Sequence, residues 1–128
     1  MTTVALIFAG LAALLHVYIW TMESLTWRKP ATWKRFGVAS QEDAETQALF
    51  AFNQGFYNLF LAIIALFGIF QAVVGYADVG WALLLGACAM MLGAAIVLAS
   101  CGSKYVRAAV MQGTFPLLAL VAGTVALA

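Results

Sequence analysis

A histidine, a glutamate and a group of side-chain amides are the residues of this chain with types and spacing suited to chemistry, and they lie within or beside strongly apolar runs. His16, Trp20, Glu23 and Trp27 follow one another at spacings of four, three and four. On a helix turning about 100° per residue they form one stripe about 60° wide. In the segment FNQGFYN at 52–58, the residues Asn53, Gln54, Tyr57 and Asn58 fall within an arc of about 140°. Gln112 stands four residues before Pro116. Proline has no N–H to donate, so the Gln112 carbonyl becomes a free acceptor beside its own side-chain amide.

Polar groups in hydrocarbon need partners, and ionisable residues there are candidates for function. His16, Glu23, Asn53, Gln54, Tyr57, Asn58 and Gln112 are therefore expected to line a shared polar cavity, with Trp20, Phe56 and Tyr57 as its apolar wall. His16 and Glu23 are two helical turns apart, about 10 Å, a gap that a water or a ligand can bridge. As chemistry, His16 would serve as a base, Glu23 as an acid or orienting partner, and Asn53, Gln54 and Gln112 would polarise a carbonyl or hydroxyl. Each residue also has a structural explanation. Amides commonly join transmembrane helices, at about 0.6 kcal/mol each on average. A lone histidine is usually a satisfied core residue, and a lone glutamate at a helix end is usually solvated.

The elements that must position these residues follow from composition. Of 128 residues, 66% are hydrophobic and only 9% charged, against about 25% charged in a soluble domain, and the mean hydropathy is +1.02. A bilayer core about 30 Å thick needs about 20 apolar residues per helix. Four such runs occur, and the helices that contain them are expected near 3–24, 41–75, 79–100 and 105–127. The alternation of a transmembrane barrel is absent. The expected fold is all-α, one four-helix transmembrane bundle of up-down topology spanning 1–128 as a single domain. The first run lacks a basic leader and a small-residue cleavage site, so it is kept as a helix rather than a secretory signal.

All six Lys and Arg residues fall in the first and third connections, at Arg28, Lys29, Lys34, Arg35, Lys104 and Arg107. The positive-inside rule then places 24–40 and 100–107 in the cytoplasm and both termini outside, in a cell inner membrane. Trp27, Trp33 and Phe36 in WRKPATWKRF suit a stretch lying at the lipid headgroups. Ser40 followed by Glu42 and Asp43 reads as an N-cap with an acidic first turn, so the second helix begins near Gln41, and at about 50 Å it outreaches the hydrocarbon. Gly80, Gly86, Ala87, Gly93 and Ala94 offer small faces for close helix packing.

HVYIWTMESLTW closing the first helix, F-N-Q-G-x-Y-N in the second and QGTFP opening the fourth resemble the hallmark segments of a family of small bacterial four-helix membrane proteins, catalogued as domain of unknown function 1304. The likeness covers essentially the whole chain. It implies the same four-helix topology and assigns no catalytic residues; some members carry the label epimerase.

Three functions follow as expectations. The first is binding of a small polar or amphipathic molecule in a cytoplasmic-leaflet cavity. The second is a membrane-embedded acid–base enzyme of isomerase or epimerase type. The third is a small exporter working as a homodimer, against which the position of Glu23 near the membrane surface counts. The structural alternative is a membrane protein whose amides only join helices. Membrane lipid is the expected partner, and no metal or other cofactor is expected, because His16 has no Cys, Asp or Glu at ligand spacing. Cys88 and Cys101 lie about 20 Å apart on one helix, too far to bridge. A net charge of +1 with dispersed basic residues gives no nucleic-acid surface.

Overall fold

The computed structural model describes residues 1–128. Helix α1 (Thr2–Trp20) runs into a π-helical turn at Thr21–Leu25. A short helix α2 (Pro30–Trp33) and a 3-10 turn at Lys34–Phe36 follow, then the long α3 (Gln41–Val73), α4 (Ala77–Ser100), a 3-10 turn at Ser103–Tyr105 and α5 (Val106–Leu127). With their terminal turns, four helical stretches of 24, 33, 24 and 25 residues are long and apolar enough to cross a membrane. The fold is all-α. Helix α1 packs on α3 and α5, and α4 packs on the same two, closing a ring of four.

Local sequence explains the boundaries. The Ser40 hydroxyl accepts the backbone N–H of Asp43 at 3.1 Å, and Glu42 and Asp43 occupy the positive end of α3. Pro30 opens α2 at a position where its missing N–H costs nothing. The following turn ends at Gly37, whose φ of 76° suits glycine. Gly37 lies beside the Tyr105 ring, so a Cβ there would sit 3.7 Å from it, and the connections before α3 and before α5 meet at one end of the bundle.

The core is built from the smallest side chains. Ala9, Ala12, Ala13, Ala62, Ala65, Ala87 and Ala119 are buried, whereas Phe50, Phe60, Phe67, Phe70 and Ile63 point outward. In water this would be inside out. In lipid it is the expected order, because lipid tails solvate large apolar groups as well as a core does, and helices gain by approaching closely over small residues. The outward apolar belts are consistent with contact to membrane lipid.

Two sequence expectations are corrected. Trp27 and Trp33 do not present their rings to lipid headgroups: they are 7% and 5% exposed and pack with Ala44 and Ala51. The first turns of the long α3 stand beside the connection as a post. Trp27 Nε1 donates to the Ala44 carbonyl at 2.8 Å, and Trp33 Nε1 donates to Gln41 Oε1 at 3.1 Å. Of the small residues in α4, Gly80 and Ala87 face the bundle, but Gly86, Gly93 and Ala94 face outward. Replacing Trp27 with phenylalanine removes the donor to Ala44 and part of the packed ring. A loss of about 1–2 kcal/mol is expected in unfolding of the purified protein in micelles, and an unchanged midpoint would show that this post is not tied down by Trp27.

Candidate functional site

Glu23 sits in the π-helical turn, closed by the Thr26 N–H on the Thr21 carbonyl at 3.0 Å. Such turns rotate a helix face by one extra residue and often mark functional positions. Here the rotation half-buries Glu23 and turns Ser24 toward α3. Ser24 Oγ donates to the Phe52 carbonyl at 2.9 Å. Asn58 Nδ2 donates to Glu23 Oε2 at 2.7 Å and has a longer contact to the Gln54 carbonyl, 3.3 Å. Gly55 makes this crossing feasible: a Cβ at that position would overlap Ser24 Oγ and lie 3.0 Å from Glu23 Cβ.

Glu23 faces two open grooves. One, of about 400 Å³, is bordered by Ser24, Trp27, Arg28, Leu49 and Phe52. The other, of about 470 Å³, is bordered by Trp27, Phe36, Gln47, Asn53, Gln54 and Tyr57.

The eight expected site residues thus separate by facing. Glu23, Asn53, Gln54 and Tyr57 come together at the larger groove, with Tyr57 61% exposed. Asn58 is 6% exposed and reaches Glu23 from inside. His16 is fully buried one turn beyond Ala12 and borders neither groove. Its Nδ1 donates to the Ala12 carbonyl at 2.8 Å, and its Nε2 is buried with no partner. Trp20 Nε1–H is likewise buried without a partner, while its ring meets Phe56 edge-on at 6.0 Å. Gln112 is half-buried on α5, next to Gly113 where α5 approaches Ala95 of α4, and it borders neither groove. No three His, Cys, Asp or Glu side chains gather closely enough to hold a metal ion.

Sequence reasoning did not single out Ser24, Gln47 or Gly55. The signal for Gly55 was available, since a glycine between amides and aromatics in a lipid-exposed helix marks a close helix approach. The π turn had no such signal, and it is this turn that breaks the constant 100° spacing behind the His16–Trp27 stripe.

Four long apolar helices around an alanine and glycine core, with one carboxylate held at a helix crossing, define a small multi-helix membrane protein. Residues 10–124 match the family described as Protein of unknown function (DUF1304), and the chain belongs to that family. No curated protein and no solved structure matches it.

Proposed function

We propose that this is a bacterial inner-membrane protein that binds a small polar or amphipathic molecule in the paired grooves around Glu23, in the cytoplasmic leaflet. The observation that carries the reading is the placement of Glu23. A half-buried carboxylate in the last turn of a membrane-length helix is held by a neutral amide from the next helix and opens onto grooves bordered by further amides and aromatic rings. Amides recognise uncharged polar groups, and the aromatic faces accommodate an apolar chain. Helix joining explains Asn58, whose side chain is committed to Glu23. It does not explain Asn53 and Gln54, which face outward.

The orientation belongs to the same proposal. An up-down bundle with both termini outside puts 24–40 and 100–107 in the cytoplasm, a reading supported by the six basic residues and by the meeting of Gly37 with Tyr105. The chain then acts as one domain over 1–128. His16 is buried away from both grooves, so binding is favoured over an acid–base reaction that pairs it with Glu23.

The test is native mass spectrometry with lipid and metabolite extraction on gently purified protein. A molecule is expected to accompany the wild type and to be missing from a Glu23→Gln, Asn53→Leu variant that keeps its helical circular dichroism. A wild type that carries nothing beyond bulk lipid, or a variant that retains the molecule, would overturn the proposal.

A further inference from the structure

The charge balance of the grooves points to the kind of molecule they take, and this inference rests on the binding function proposed above. Glu23 has no cationic partner: the one ion pair in the chain joins Arg28 of the connection to Glu45 in the first turns of α3 at 3.0 Å, both exposed. Its hydrogen bond to Asn58 engages one carboxylate oxygen, Oε2. The larger groove is bordered by this single acid, by the side-chain amides of Gln47, Asn53 and Gln54, and by the rings of Trp27, Phe36 and Tyr57, with no lysine or arginine among its residues.

One carboxylate, several amide carbonyls and aromatic faces form a set of acceptors and π surfaces complementary to an organic cation. An ammonium donates to carboxylate and carbonyl oxygens and is attracted to the faces of aromatic rings. An anionic headgroup would meet the Glu23 carboxylate without a compensating cation in this groove. A neutral headgroup would leave that half-buried carboxylate without a counter-charge, which is costly for a charge partly withdrawn from water.

We infer that the groove bordered by Glu23, Asn53, Gln54 and Tyr57 binds the primary ammonium group of an amphiphile, with Glu23 as its counter-ion. Two sources carry that chemistry, an ethanolamine phospholipid and a free alkylamine. They differ in phosphate. Arg28 borders the neighbouring groove that shares Glu23, and its terminal guanidinium nitrogens are not used in the Nε bond to Glu45. It is placed to meet the phosphate of the lipid but has no role toward an alkylamine.

The experiment uses the full chain in maltoside micelles near neutral pH. Phosphatidylethanolamine and phosphatidylglycerol compete in equal amounts in native mass spectrometry, and dodecylammonium is compared with dodecanol by tryptophan fluorescence titration. The wild type is expected to prefer each ammonium compound over its counterpart by about tenfold or more, and Glu23→Gln to abolish the preference. Tyr57→Leu, at an outward position that does not hold the bundle together, is expected to weaken ammonium binding several-fold and serves if Glu23→Gln fails to fold. Arg28→Gln distinguishes the sources: loss of phosphatidylethanolamine binding alone assigns the lipid, and no loss of either assigns the free amine. Equal binding of charged and neutral compounds by the wild type, or a preference that survives both Glu23→Gln and Tyr57→Leu, overturns the inference. A neutral or anionic molecule that co-purifies and depends on Glu23 would overturn the ammonium assignment while supporting the binding function.

Discussion

Replacing Gly80 with alanine is expected to destabilise the bundle by about 3 kcal/mol, the largest effect of any single methyl group added to this chain. A Cβ at position 80 would overlap the backbone nitrogen of Ala72 and lie 2.6 Å from its Cα. Backbone atoms cannot rotate aside as a side chain can, so α3 and α4 would have to separate along their shared face. The opposing helix has no slack either, because a Cβ at Gly68 would lie 2.6 Å from the Leu84 nitrogen and 2.9 Å from the Gly80 carbonyl. Gly86→Ala and Gly93→Ala provide the control. Both glycines face open space on the same helix, so alanine there is expected to change stability only through helix propensity, toward stabilisation by up to about 1 kcal/mol. Thermal unfolding of the three variants in one detergent measures the contrast. If Gly80→Ala melts with Gly86→Ala, α3 and α4 are not in backbone contact at this level.

Asn58→Leu is expected to cost about 2 kcal/mol, and the loss belongs to the crossing of α1 and α3. The substitution keeps the branched heavy-atom skeleton but removes the donor 2.7 Å from Glu23 Oε2, leaving a half-buried carboxylate without its hydrogen bond. Hydrogen bonds to charged groups contribute about 1.5–3 kcal/mol in soluble proteins. Between transmembrane helices the measured values average about 0.6 and reach about 1.7, because the unfolded chain in lipid finds other partners. A double-mutant cycle of Asn58→Leu with Glu23→Gln should therefore give a coupling of about 1 kcal/mol or somewhat more. Asn53→Leu, from the same FNQGFYN segment but facing outward, should fall within about 0.5 kcal/mol of the wild type. Equal losses at 53 and 58 would show that both amides join helices, and the groove would lose its claim to spare polar groups.

Together these substitutions divide the amides by role. Within a single helical turn and a half, Asn58 holds α1 to α3 while Asn53 and Gln54 border a groove. The division follows from the facing of α3: its buried positions from Ala51 onward are Ala51, Gly55, Asn58, Ala62, Ala65 and Gly68, spaced by three and four. Asn58 is the one amide on that stripe.

Much of the fold was legible in the sequence because its causes are local. Hydropathy runs of bilayer length specify four long helices, and Ser40 with its acidic first turn specifies where α3 begins, through hydrogen bonds that span only three residues. The residues of the candidate site were also legible by type, since a glutamate and a group of amides are rare in lipid-facing sequence. What only the tertiary structure decided is which of them face one another. A constant 100° rotation carried the His16 stripe past Glu23, but the π turn at 21–25 changes the phase, placing His16 in the interior and Glu23 at the grooves. Likewise, whether Trp27 anchors in lipid or packs on a helix depends on whether another helix stands beside it. That is settled by the reach of α3 and the Ala44 carbonyl it presents, a contact between residues 17 positions apart that no local pattern encodes.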